Sequence, residues 1–212
     1  MTVLTGYAIV SALLIAVGRA VVGPLHGSGI VHWDEDAVRW LASHRTPGLT
    51  SASAFWSRLG DAPSIIGLGA LAAIVLLARH HARLAACLAL ALAVELGTFL
   101  TISYTVGRDR PTVPHLGSVP STGSFPSGHI AATFVLYGAI AVILTRLGAR
   151  RLSVVAAWGW TVFASAWVAW ARMYRGMHHP IDIGAGLAMG IGLVMTFAVA
   201  LRRVEKQFHR QT

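Results

Sequence analysis

Six long apolar runs divide this chain, at Thr2–Val22, Ala62–Ala78, Leu84–Val106, His129–Leu147, Leu152–Ala171 and Ile181–Leu201. A helix needs roughly 20 mostly apolar residues to cross a bilayer, and each run approaches or meets that length. Hydrocarbon offers no water to backbone N–H and C=O groups, so such a run must close its hydrogen bonds internally, as a helix does. The expectation is an all-α, polytopic membrane protein of six transmembrane helices, forming one membrane-embedded domain over residues 1–212. Charge content agrees. Only 12% of residues are charged and 55% are hydrophobic, against about 25% charged in soluble domains. The first run lacks a basic leader and reads as a retained span rather than a cleaved signal. Cys87 is the single cysteine, which excludes an intramolecular disulfide and a cysteine-based zinc site.

The chain carries 17 Lys and Arg against 8 Asp and Glu, a formal charge of +9. These charges sit at the ends of apolar runs rather than in one patch. That distribution favours anionic lipid headgroups over nucleic acid as the partner. Arg79, Arg83, Arg146, Arg150, Arg151, Arg202, Arg203, Lys206 and Arg210 all fall on one side of the six runs. Arg19, Arg39, Arg45 and Arg58 fall on the other, with the four motif arginines Arg108, Arg110, Arg172 and Arg175. With the motif residues set aside, the positive-inside rule puts both termini in the cytoplasm and the motifs on the periplasmic or extracellular face.

Between the first two spans, Val31–Asp61 spaces Trp33, Val38, Trp40 and Leu41 at near-helical intervals, and Phe55, Trp56 and Leu59 again after Pro47-Gly48. Interfacial helices are expected there, as anchors or as a lid over a lipid substrate. In the last run Gly186 and Gly190 form a small-xxx-small pair flanked by Gly184 and Gly192, a signature of close helix packing.

Three polar stretches on the motif side supply phosphate chemistry. In Gly107-Arg108-Asp109-Arg110-Pro111, Arg110 offers a planar fork of donors that matches phosphate oxygens. Pro111 is expected to stop the third helix there, with Asp109 as an ion-pair partner for Arg108. Pro126-Ser127-Gly128-His129 opens the fourth span. A helix start exposes unpaired N–H groups to an anion; Ser127 adds a hydroxyl, Gly128 permits close approach, and His129 is placed to protonate a departing alkoxide. The third stretch runs from Arg172 through His178-His179-Pro180 to Asp182. Pro180 suits the first turn of the last span. Asp182, four residues after His178, can then reach the ring N–H, fix its tautomer and leave the other nitrogen free to attack phosphorus. Paired histidines also suit metal ligation, but no further acid-rich or cysteine cluster accompanies them on this face.

These stretches resemble the type 2 phosphatidic acid phosphatase superfamily, which also includes the vanadium haloperoxidases. Arg110-Pro111, Pro126 to His129, Arg172, His178 and Asp182 stand at the family spacing, and the six-span layout is similar to the family's membrane branch. The resemblance implies that His178 forms a phosphohistidine, His129 protonates the leaving group and Asp182 supports His178. It further implies that Arg110, Arg172, Ser127 and Gly128 hold the phosphate, without metal or other cofactor. Two positions depart from the pattern: Ser103 replaces the family lysine seven residues before Arg110, and Ala171 replaces the serine before Arg172. Arg108 stands near enough to be weighed, with Ser103, as an accessory group.

The expected activity is hydrolysis of a phosphate or diphosphate monoester of a lipid: polyprenyl diphosphate, phosphatidylglycerophosphate or phosphatidic acid. The alternatives are a phosphotransferase using the same histidine for a second lipid, and a noncatalytic lipid-phosphate binder or transporter. Glu95 lies inside the third span. Fifteen residues separate it from Arg110, about 22 Å along a continuous helix. That separation points away from direct catalysis, to a hydrogen-bonded structural role or to gating.

Overall fold

A computed structural model describes residues 2–208 and the side chains of residues 3–203; the side chain of Lys206 and all of Arg210 lie outside it. Eight helices follow one another: α1 Thr2–Val22, α2 Gly29–Ser43, α3 Pro47–Arg58, α4 Ala62–Ala78, α5 Ala82–Val106, α6 Gly128–Arg146, α7 Arg151–Tyr174 and α8 Pro180–Phe208. Among the described residues there is no strand.

Five helices, α1, α5, α6, α7 and α8, are long and apolar enough to span a membrane singly. The sixth expected span, α4, has 17 residues and qualifies only together with α3, from which it bends by 45°. The two helices expected between the first spans are α2 and α3, and their apolar residues divide between two surfaces. Val38 is fully buried, whereas Trp33, Trp40 and Phe55 are exposed, as interfacial anchors are. Trp56 of α3 stacks on Trp167 of α7, with ring centroids 5.3 Å apart.

The central helix is α6, more than half of whose span is buried. It packs against α5, α7 and α8, while α1 closes the bundle against α5 and α8. The glycines of α8 explain the closest approach. A Cβ on Gly186 would lie 2.4 Å from the Ser127 carbonyl oxygen, and one on Gly190 would lie 2.8 Å from the Phe134 Cβ. Both belong to the α6–α8 seam, so the small-xxx-small pair works inside one chain. It also brings the first turns of α6 and α8 together, where the Ser127 N–H donates to the Asp182 carbonyl at 2.9 Å.

Candidate active site

All three polar stretches meet at one end of the bundle. Gly107, not Pro111, ends α5: its φ of 63° is left-handed, a conformation that costs glycine little, and its N–H returns to the Ser103 carbonyl. The chain then doubles back over the bundle instead of rising away from it. Ser124 secures this return, its N–H donating to the Arg108 carbonyl (2.8 Å) and its hydroxyl to the Asp109 carbonyl (2.7 Å).

The candidate phosphate cradle is built from pinned donors. Arg110 donates through Nη1 to the Met177 carbonyl (2.7 Å) and through Nη2 to the Thr122 and Gly123 carbonyls (3.1 and 3.3 Å). Arg172 donates through Nη1 to the Ser57 hydroxyl at 3.1 Å. Both Nε atoms, and the Ser127 hydroxyl, are buried without a hydrogen-bond partner among the described residues. Unpaired buried donors are uncommon in folded proteins; here there are three, and one of them, Ser127, stands at the start of α6, whose free first-turn N–H groups favour an anion. Gly128 keeps that turn accessible, for a Cβ there would press within 3.0 Å of the Phe99 ring.

Two histidines face this cradle, with ring centroids 6.5 Å apart. His178 is buried, and its Nδ1 lies 2.7 Å from the Ser124 carbonyl. A carbonyl only accepts, so Nδ1 carries the proton and Nε2 keeps its lone pair. Asp182 was the expected partner of that ring, but its carboxylate stands 3.9 Å from Nδ1. It turns instead to His179, accepting from the backbone N–H (2.9 Å) and lying 3.1 Å from Nδ1. Burial first, then the Arg172 charge, hold the His178 imidazole well below its ordinary range, so the ring is neutral at pH 7. His129 has a partner that sequence reasoning missed: its Nε2 lies 2.7 Å from Asp61 at the start of α4. The hydrogen bond from His129 holds the Asp61 carboxyl below the usual carboxylate range.

Arg108 does not pair with Asp109 and does not join the cradle. It is buried between Asp182 (2.5 Å) and Asp34 of α2 (2.6 Å). Burial alone would weaken its hold on a proton, and the two carboxylates outweigh that and raise its pKa. Asp34 also accepts from the Ile181 N–H at 2.7 Å. The far nitrogen of His179 meets Glu35, 2.9 Å away, which in turn accepts from the Thr112 hydroxyl. A chain of charges thus ties the interfacial helix to the start of α8. Removing one member of a buried ion pair leaves the others uncompensated and costs about 3–5 kcal/mol. Arg108→Met is therefore expected to lower unfolding stability in detergent by about that amount. Ser103, in the place of the family lysine, is fully buried, its hydroxyl 3.5 Å from the Gly123 carbonyl. Neither accessory candidate adds an unpaired charge to the candidate cradle.

A cleft runs from these residues in two directions. A polar vestibule of about 380 Å³ includes Ser57, Asp61, His129, Arg172 and Arg175. A mostly apolar groove of about 490 Å³ shares His129 and Arg172 with it and continues past Arg110 and His178 to Phe99, Ile66, Leu96 and Glu95. Glu95 therefore lines the same cavity as the catalytic candidates, contrary to the 22 Å expected along the helix. The reversal at Gly107 is the cause.

A membrane-spanning helical bundle with an anion cradle at one end and an apolar groove beneath it defines the class. Its fold superposes with a TM-score of 0.78 on the crystal structure of the transmembrane PAP2 type phosphatidylglycerolphosphate phosphatase from Bacillus subtilis, over 92% of this chain and 96% of that one. On Aquifex aeolicus LpxE the TM-score is 0.59, over 79% and 93%. Both are 20% identical in sequence, so these likenesses are of fold. A family model described as the PAP2 superfamily matches residues 80–206, and the chain belongs to that superfamily. It is also 33% identical over 109 residues to the "Putative undecaprenyl-diphosphatase YbjG" of Escherichia coli (strain K12). That match takes in 49% of this chain and spans about half the length of the curated relative.

Proposed function

We propose that this protein is an integral membrane lipid phosphatase, hydrolysing a phosphate or diphosphate monoester of a lipid through a phosphohistidine at His178. The observation that carries this reading is the His178 ring: buried, neutral, its Nδ1–H spent on Ser124 and its Nε2 left for the cavity it lines. Polyprenyl diphosphate, phosphatidylglycerophosphate and phosphatidic acid all offer the required group. The names of the Bacillus subtilis and Escherichia coli relatives mention two of these chemistries.

In this mechanism Nε2 attacks phosphorus while the bond from phosphorus to the lipid oxygen breaks. His129 supplies the proton that oxygen needs, and Asp61 orients the ring and offsets its positive charge. Arg110, Arg172, Ser127 and the first-turn N–H groups of α6 bear the charge on the phosphoryl oxygens. Water then attacks the same phosphorus, the P–N bond breaks, His129 takes the water's proton, and inorganic phosphate leaves. Asp182, locked to Arg108 and His179, acts on His178 through the field rather than by a hydrogen bond. The basic helix ends at Arg79, Arg83, Arg146, Arg150, Arg151, Arg202 and Arg203 lie opposite the cleft, which supports cytoplasmic termini and an extracytoplasmic site.

Phosphate release from a panel of the three lipids by detergent-purified protein tests the reading. Release should persist in EDTA, and a chelator-sensitive activity would overturn the metal-independent route. The lowered pKa of His178 moves loss of the neutral nucleophile toward acid. After division by the substrate's own titration, any acid limb of kcat/KM should therefore be centred below about pH 6.5, the ordinary histidine value. An acid limb centred at or above that value would remove His178 from the nucleophilic role.

A further inference from the structure

Glu95 is a carboxyl in an apolar place, and the mechanism above does not use it. It is only 5% exposed, and no hydrogen bond or ion pair engages it among the described residues. The groove it lines holds Ile65, Ile66, Leu92, Leu96 and Phe99, and reaches Arg110, His129, Arg172 and His178 at the cradle. A buried carboxyl with nothing to bond is costly, so its retention at a cavity wall points to a ligand that supplies the missing partner. An intramembrane acid facing a cavity is a functional candidate on general grounds as well.

Position along α5 sets which part of a lipid that is. The Phe99 ring lies against Gly128 in the first turn of α6, at the level of the phosphate cradle. Glu95 is four residues earlier on the same face, about 5–6 Å deeper, and side chains in a helix lean further toward its N-terminus. The second phosphate of a diphosphate sits immediately beside the first, too high to meet it. A prenyl chain presents only hydrocarbon at that depth. In a phosphate ester of an acylated glycerol, by contrast, the ester carbonyls lie a few bonds below phosphorus, just where the chains begin.

We propose that Glu95 is a specificity-determining residue whose carboxyl O–H donates a hydrogen bond to an acyl ester carbonyl, selecting substrates whose phosphate is attached directly to an acylated glycerol. The proposal rests on the phosphatase reading and narrows its substrate class. A site built to bond a polar group discriminates strongly against an analogue that lacks the group, because its own polar atom is left unpaired.

The test compares two lipids that differ only at that group: diacyl phosphatidic acid and its dialkyl ether analogue, with farnesyl diphosphate as a third substrate. Wild-type protein is expected to favour the ester by about tenfold or more in kcat/KM. Glu95→Leu should erase that preference by lowering turnover of the ester alone, and Glu95→Gln, which can still donate, should restore most of it. Equal use of ester and ether lipids by wild-type protein would overturn the proposal, and so would a Glu95→Leu loss shared by all three substrates. A loss confined to farnesyl diphosphate would also overturn it, assigning Glu95 to the prenyl class instead. Absence of turnover on every lipid would overturn the phosphatase reading itself, a result distinct from any change in the ratio.

Discussion

Replacing His178 with alanine is expected to lower phosphate release from lipid by about 10⁴-fold or more. The size follows from the geometry. His178 is the ring whose Nδ1–H is tied to Ser124 and whose second nitrogen is left free, and the remainder of its cavity is largely apolar. The cradle stays in place in this variant, because Arg110 is held by the Met177, Thr122 and Gly123 carbonyls and not by the imidazole. The variant should therefore still fold and bind lipid phosphate while failing to turn it over. A phosphoryl label transferred from substrate to wild-type protein should be absent from it. Undiminished release would instead leave the bundle as a binder or carrier of lipid phosphates.

His129→Ala should show a different pattern, one that depends on the leaving group. A lipid alkoxide departs badly without a proton, so loss of the general acid should slow lipid turnover by about 10²–10⁴-fold. Nitrophenyl phosphate releases a stable phenolate and needs no such help. With that substrate the first step should survive, while hydrolysis of the phosphohistidine loses the base that takes the water's proton. The expected record is one rapid equivalent of nitrophenolate followed by a slow phase. Asp61→Asn keeps the imidazole but removes the carboxylate 2.7 Å away. It should follow the same pattern at about a tenfold loss. A uniform loss on both substrates would assign these residues to structure alone.

The apolar runs made the spans legible because each one needs only itself to form a helix; α1 and α4 begin and end at the expected residues. Arg110, Arg172 and His178 were legible as candidate phosphate-handling groups because local sequence marks them, and the fold brings them to one cleft. What local sequence does not carry is the identity of partners met through chain reversal. The Ser124 carbonyl reaches His178 because the segment after Gly107 turns back, and any residue type at that position supplies the same oxygen. Asp34 and Asp61 lie far in sequence from Arg108 and His129 and belong to no motif. The misplacement of Glu95 has the same origin: distance measured along α5 stops being distance in space once the chain folds over its own end.

The cleft has two mouths, and they open onto different phases. Ile66 and Leu96 line the apolar groove and are also exposed on the outer face of the bundle, so that mouth faces the acyl chains, while the vestibule with Asp61 and Arg175 faces water. In the proposed function, traffic is thereby sorted by solubility: lipid enters and departs sideways within the leaflet, water arrives and inorganic phosphate escapes at the surface. The concentration the enzyme responds to is then a mole fraction in two dimensions. Diluting the substrate with inert lipid slows it, and adding more vesicles of the same composition does not.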